Sequence, residues 1–397
     1  VSAGELKTSR KKAKNWPVNR KLKSKQNRNS MNRRFIISGG GTGGHIFPAL
    51  AIAGELKKRD PGASILFVGA LGRMEMERVP AAGYPIIGLP VEGFKRKITL
   101  KNIAVLYKAV VSVFKASGII KSFRPDAVIG VGGYASGPML RAAARKGIPT
   151  VIQEQNSYAG VTNRLLAKKA KKICVAYAGM EKYFPAEKII LTGNPIREEI
   201  VSGKADRKTS CESFGISDSV PVVLILGGSL GARTINESIL AGTDALEREN
   251  VQVLWQTGKL YIEGIRSALR NRELQNIHYF DFISRMDYAY TAADIIISRA
   301  GAATISELCL LGKPAILVPS PNVAEDHQTK NAMALVGNNA ALMVKDKESK
   351  EKLVPAILDL LHNPGLQQQL GENCKKMGLS GSSARIVDEI FKQIEKQ

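Results

Sequence analysis

Residues 39–45, Gly-Gly-Gly-Thr-Gly-Gly-His, place five glycines and a hydroxyl directly before an imidazole. Glycine lets a backbone turn its N–H groups toward a ligand, and a helix starting there adds its positive end, so the natural guest is phosphate or diphosphate. His45, with a reference pKa of about 6.5, can take a proton beside that anion. The plainer reading is a tight strand-to-helix turn with His45 as a polar cap. A second run of small residues, Ser298-Arg299-Ala300-Gly301-Ala302-Ala303-Thr304, comes shortly before Glu307. Exposed N–H groups there suit a diphosphate, and a carboxylate one turn inside the helix can accept from both hydroxyls of a ribose. The alternative for Glu307 is the usual preference for an acid near a helix N-terminus, worth only about 0.3–1 kcal/mol. Further polar groups close apolar runs: Gly132-Gly133-Tyr134, Gln153-Glu154-Gln155-Asn156 with Asn163 in the helix beyond, Gly193-Asn194-Pro195-Ile196-Arg197, Gly227-Gly228-Ser229, and His327-Gln328 with Asn331. Consecutive polar residues after a buried strand are costly unless they face a cleft or satisfy loop backbone.

Groups so scattered need a scaffold that gathers them at one edge. The apolar, β-branched runs 35–38, 64–69, 85–90, 126–131, 149–152 and 189–192 read as buried parallel strands of a first half. Runs 220–226, 251–256, 277–280 and the one ending at 317–319 read the same way in a second half. Each glycine-rich turn then lies at the carboxyl end of a strand, where open α/β sheets bind ligands. The segment from Asp126 to Pro149 is echoed from Asp294 to Pro314: strand, small-residue turn, helix, Gly, Pro. The polar stretch 198–219 reads as the linker between halves. These patterns predict an α/β protein of two doubly wound parallel-sheet (Rossmann-like) domains facing a central cleft.

Composition narrows the class. A chain of 397 residues suggests two or three domains. Of the net charge of +23, residues 1–34 hold twelve Lys or Arg against the single acid Glu5, so that basic arm is expected to be disordered. Such an arm can bind nucleic acid or anionic lipid, but a solvated extension is the simpler reading. Four well-separated cysteines (Cys174, Cys211, Cys309 and Cys374) indicate neither a disulfide framework nor a zinc site, which fits a reducing compartment. No run of eighteen apolar residues occurs, so membrane spanning is not expected. In the stretch 93–123, Ile103, Leu106, Tyr107, Val110 and Phe114 share one helical face, and Lys101, Lys108 and Lys115 mark a basic stripe after the lead-in Phe94-Lys95-Arg96-Lys97. Two readings stay open: a sheet-packing helix with a solvated Lys face, or a helix resting on anionic headgroups.

Taken in order along residues 35–397, these motifs resemble those of glycosyltransferase family 28, whose peptidoglycan members add N-acetylglucosamine to a lipid-linked muramyl-pentapeptide. The resemblance implies the GT-B arrangement: residues 35–196 plus 380–397 as an acceptor- and membrane-facing domain, residues 197–379 as a UDP-N-acetylglucosamine domain, and residues 1–34 as an extension. It also implies site roles. Thr42, Gly43, Gly44, Asn156, Arg197, Ser229, Ile283, Ala302, Ala303, Thr304, Glu307 and Gln328 would hold the donor, with Arg197 and Ser229 at the diphosphate, Ile283 at uracil and Glu307 at the ribose. Gly41, Tyr134 and Asn163 would hold the acceptor, and His45 and Glu154 would be catalytic. Two positions depart from the family pattern: Gln153 replaces a common His, leaving His45 the better base, and His327 replaces a common Gln at the donor sugar. The implied reaction is an inverting attack by the C4 hydroxyl of the muramyl sugar on the anomeric carbon of UDP-N-acetylglucosamine. With no Asp-x-Asp pair in the chain, no protein-bound metal or other cofactor is expected, although free Mg²⁺ can accompany the substrates. The implied location is peripheral, on the cytoplasmic face of the bacterial cell membrane against anionic lipid, with no specific nucleic acid partner. The rival readings are a sister GT-B enzyme acting on diacylglycerol, a nucleic-acid binder using the basic arm, and a dinucleotide oxidoreductase. The last lacks the acid expected about 20 residues after the first glycine turn, since Asp60 belongs to an Asp-Pro-Gly turn.

Overall fold

A computed structural model describes residues 32–92, 101–196, 200, 205–228, 230–323 and 326–396. Seven parallel strands build the first lobe: β1 (Arg34–Ser38), β2 (Ser64–Ala70), β3 (Ile86–Leu89), β4 (Ala127–Gly130), β5 (Thr150–Glu154), β6 (Lys172–Val175) and β7 (Ile189–Leu191), in the order 3-2-1-4-5-6-7. The second lobe has six: β8 (Val222–Leu226), β9 (Gln252–Gln256), β10 (Ile277–Phe280), β11 (Ile295–Ser298), β12 (Ala315–Leu317) and β13 (Leu342–Met343), in the order 10-9-8-11-12-13. Every pairing is parallel, β1 lying between β2 and β4 with Phe35 opposite both Ile65 and Ala127. Because helices cover both sheet faces, β1 is apolar throughout its middle: Ile36 enters one core, Phe35 and Ile37 the other. The strand order reverses between β1 and β4 and between β8 and β11, and a ligand crevice opens at such points.

Two short strands escape the sequence reading, β6 inside the first sheet and β13 at the edge of the second. β6 opens on Lys172, and β13 has only two residues, so neither presents a run long enough to stand out. The polar stretch 198–219 is not simply a linker. Asp206 caps the helix Arg207–Ser213 by accepting from the Thr209 N–H at 2.7 Å, and Arg207 makes a two-point contact with Asp294 at 2.9 Å on each oxygen. That pairing fastens the helix to the root of the second sheet, and Cys211 supplies the buried contact. Asp60, near the spacing of a dinucleotide ribose partner, instead accepts from the Asn32 and Arg33 N–H groups at 3.3 and 3.2 Å.

The chain crosses between lobes twice. Residues 192–196 lead out of β7, and residues 377–381 lead back to the helix Ser382–Glu395. Gly193 has φ of +79°, and a side chain there would meet Ser382 Oγ at 2.6 Å and Leu379 Cβ at 2.8 Å, so the two crossings run side by side. The returning helix buries Ile386, Val387 and Ile390 among Phe35, Ile37, Ile52, Leu56 and Ile129 of the first lobe. Arg385 donates to the Thr192 carbonyl, and Arg59 pairs with Asp388.

The helix Lys101–Phe123 is apolar on two sides. Val105, Ala116 and Ile120 are buried in the first lobe, while Tyr107 and Phe114 are 70% and 74% exposed on the opposite face, with Val110 beside them. The side chains of Lys101, Ile103 and Leu106 lie outside the described residues, as do residues 93–100 and the basic arm up to residue 31. No helix among the described residues is long and apolar enough to cross a membrane.

Candidate active site

The first glycine turn runs from β1 into the helix Gly43–Arg59, with Thr42 as its extended N-cap residue. The turn is built over an acid of the chain itself. Glu75, buried at the start of the helix Glu75–Ala81, accepts from the Gly41 N–H at 2.8 Å and the Ala70 N–H at 2.9 Å. A side chain on Gly40 would strike that carboxylate at 2.3 Å. The N–H of Gly41, a residue expected at the acceptor, is thus taken by Glu75. The amides of Gly43 and Gly44, in the first turn of their helix, remain the ones that helical geometry leaves without intrahelical partners.

His45 sits one residue further on. Its Nδ1 is 3.1 Å from Thr42 Oγ1, and its ring lies against Gly132, where a Cβ would come within 2.8 Å of Nε2. Burial lowers its pKa to about 4, helped by repulsion from His327 across the cleft and opposed by a bond to the Gly40 backbone. At neutral pH the imidazole is therefore uncharged, the form that can accept a proton.

The polar run after β5 mostly turns inward. Glu154 is 1% exposed, and its two oxygens accept from the Asn156 N–H (3.1 Å), Asn156 Nδ2 (3.2 Å), the Gly160 N–H (3.0 Å) and Asn163 Nδ2 (2.8 Å). Burial pushes its carboxyl upward, and those donors work against the shift. Glu154, expected to be catalytic, and Asn163, expected at the acceptor, are bonded to each other here and fold the 155–160 loop. Gln153 and Gln155 are buried too: Gln153 Nε2 donates to Asn194 Oδ1 at 2.9 Å, and Gln155 Nε2 to the Val131 carbonyl at 2.7 Å. Of the two uses open to this run, satisfying its own surroundings accounts for three of the four residues. Only Asn156 reaches across, its Oδ1 accepting from Asn331 Nδ2 at 3.2 Å, while Ser157 donates through N and Oγ to Asn331 Oδ1 at 3.1 and 3.0 Å. Tyr134, 53% exposed, stands beside Gly133 on the first lobe's side.

In the second lobe, Gly301 is the N-cap residue of the helix Ala302–Leu311, so Ala302, Ala303 and Thr304 form its first turn. That helix abuts the helix Gly43–Arg59, and Asn194 Nδ2 joins the lobes there by donating to Ser306 Oγ at 2.9 Å. Glu307 lies one turn in, buried, and accepts from the Tyr290 hydroxyl at 2.8 Å. The Ile283 N–H donates to Gln256 Oε1 at 2.9 Å, and Gln256 Nε2 donates to the Gly228 carbonyl at 3.1 Å, so one buried amide ties the loop after β10 to the turn after β8. Gln328 Oε1 accepts from the Ser320 N–H at 2.8 Å, and His327 opens the helix His327–Val336. Arg197 and Ser229 lie outside the described residues.

The two lobes thus bring Thr42, Gly43, Gly44 and His45 opposite Ala302, Ala303 and Thr304, with His327 close to His45 and Asn156 at the seam. Sequence reasoning passed over Glu75, Gln256 and Tyr290. The only hint of Glu75 is a glycine at both 40 and 69, each packed against it. Among the described residues, no group of three or more His, Cys, Asp or Glu is placed to hold a metal ion. Chemically, the cleft offers helix N-termini for an anion, a neutral imidazole for a proton and a buried carboxylate for hydroxyls.

Residues 35–175 match the glycosyltransferase family 28 N-terminal domain, and residues 222–386 match the family's C-terminal domain. A protein of Phocaeicola vulgatus named UDP-N-acetylglucosamine--N-acetylmuramyl-(pentapeptide) pyrophosphoryl-undecaprenol N-acetylglucosamine transferase is 58% identical over 366 residues, covering 92% of this chain and 97% of its own. One of the same name from Porphyromonas gingivalis W83 is 56% identical over 365 residues, covering 92% and 96%. Among solved structures, that of Acinetobacter baumannii MurG superposes with a TM-score of 0.74 at 31% identity, over 91% of this chain and 99% of that one. The calicheamicin glycosyltransferase CalG4, at 16% identity and a TM-score of 0.69 over 92% and 99%, shares the fold.

Proposed function

The chain belongs to glycosyltransferase family 28, and from that membership we infer that it moves N-acetylglucosamine from UDP-N-acetylglucosamine to the lipid-linked muramyl-pentapeptide of peptidoglycan synthesis. The observation that carries this is identity of more than half, along nearly the whole of both chains, to relatives named for that transfer. The same relatives disfavour the diacylglycerol, oxidoreductase and nucleic-acid readings.

In the reaction we propose, the muramyl C4 oxygen forms a bond to the anomeric carbon from the face opposite UDP. The bond from that carbon to the diphosphate breaks, and configuration inverts. The hydroxyl proton passes to His45, whose depressed pKa keeps it neutral and ready. Charge building on the departing diphosphate is met by the first-turn N–H groups of Ala302, Ala303 and Thr304, with Arg197 and Ser229 expected beside them. Glu307 accepts from the ribose hydroxyls, Ile283 meets the uracil, and Gln328 and His327 face the donor sugar. Tyr134 is the acceptor-side contact retained in this reading. No resident metal is required. Dialysis against EDTA is expected to leave transfer measurable without added metal, and complete loss restored by Mg²⁺ would put metal into the reaction.

The acceptor's lipid tail cannot leave a bilayer cheaply, so attachment to the membrane is proposed to be peripheral, on the cytoplasmic face. The exposed apolar side chains Tyr107, Val110 and Phe114 support this, since an apolar face turned to water usually meets a partner or a membrane. Replacing Tyr107 and Phe114 with Ser should release the protein from sedimenting vesicles that contain anionic lipid; unchanged co-sedimentation would remove the assignment. Transfer itself is tested with labelled UDP-N-acetylglucosamine and a short-chain lipid-linked muramyl-pentapeptide. Label must appear in the lipid product, and its failure to do so with folded protein would reject the function.

A further inference from the structure

Glu307 is expected to read the ribose, but a carboxylate on a helix can rotate, and reading two hydroxyls requires that it be held. The structure holds it from a different element. Tyr290, 2% exposed on the helix Met286–Ala292, donates its hydroxyl to Glu307 Oε2 at 2.8 Å within a closed apolar setting. That helix directly follows the loop carrying Ile283, whose N–H is anchored to Gln256. The loop expected to meet uracil and the carboxylate expected to meet ribose are thus joined through one short helix and one phenol.

We propose that Tyr290 is a positioning residue for the donor nucleotide, fixing the Glu307 carboxylate in the orientation that accepts from the ribose hydroxyls. The proposal rests on the ribose role of Glu307 argued above. A carboxylate offers about four acceptor sites, so the phenol bond takes up one of them while fixing the plane of the group. A hydroxyl bound to a charged group in a buried setting is also among the stronger of its kind. Phenylalanine fills nearly the same volume, so Tyr290→Phe removes the bond with little change in packing.

The test compares wild type, Tyr290→Phe and Glu307→Ala with two donors, UDP-N-acetylglucosamine and its 2′-deoxyuridine analogue, at saturating short-chain acceptor. Wild type should lose affinity on deletion of the 2′-hydroxyl. Tyr290→Phe should raise KM for the normal donor roughly tenfold, as expected for loss of a hydrogen bond to a charged group, with kcat nearly unchanged and a smaller penalty for the deoxy donor. Thermal melting of each variant, together with direct titration by UDP, separates this from loss of fold. A wild-type KM and a wild-type deoxy penalty in Tyr290→Phe would overturn the proposal. Equal weakening toward both donors would also overturn it, because the tyrosine would then act on the fold as a whole. If Glu307→Ala keeps the full deoxy penalty, the ribose reading of Glu307 fails first and the proposal falls with it.

Discussion

At the scale of single residues, the site depends on charge states set by burial. An ordinary histidine would be half protonated near pH 6.5, whereas His45 holds off until about pH 4 because its pocket and His327 both oppose a second proton. In free enzyme, kcat/KM is therefore expected to stay level from pH 8 to about 5 and to fall only toward 4; a limb centred near 6.5 would remove His45 as the base. Replacing it with Ala should cut kcat by about 10²–10⁴-fold with a smaller change in KM. Stability follows the same window. Above about pH 6.5 the depressed pKa costs nothing, and between there and about pH 4 the unfolded chain binds the proton first, so acidification destabilises the fold. Glu75 shows what residue types alone leave out. The glycine turn closes over a carboxyl group of the chain itself, supplied from 34 positions further along.

At the scale of elements, the loop 155–160 is shaped by one buried carboxylate. Glu154→Ala should remove the acceptor for four donors and lower unfolding free energy by about 3 kcal/mol, measured by denaturant titration. Transfer should fall with it, because Asn156 and Ser157 would lose their aim at Asn331. A variant with native stability would show that the donors find other partners. How far such elements can be read in advance depends on what makes them. The strand–glycine–helix units around residues 35–56 and 220–241 were legible because parallel strands covered on both faces appear as unbroken apolar runs. The helix Arg207–Ser213 was not, since only Ser210 and Cys211 of its residues are buried and its hold on the fold comes from Arg207 and Asp294, which sit 87 positions apart. The same holds for the site: residue types gathered at strand ends could be listed, but not their direction. A strand buried on both faces carries no alternation to say that Glu154 turns inward while Asn156 reaches the cleft. The bond from Tyr290 to Glu307 joins two helices whose sequences give no sign of each other.

At the scale of the whole molecule, the lobes are joined by two adjacent crossings and by polar contacts at Asn194–Ser306 and Asn156–Asn331. The helix Ser382–Glu395 belongs in packing terms to the lobe at the far end of the chain. Ile390→Ala should therefore cost about 2–5 kcal/mol, and it should speed amide exchange in β1 while leaving β8 and β9 protected. Loss of protection in β8 would mean that the helix supports the second lobe instead. The placement also has a consequence for synthesis. Because Ile386, Val387 and Ile390 follow the second lobe in the sequence, the first-made lobe waits for part of the cover on one face of its sheet while the later-made lobe can already close. The usual amino-to-carboxyl sequence of maturation is thereby reversed, and a truncated product would leave a sticky, unfinished surface rather than a working half-enzyme.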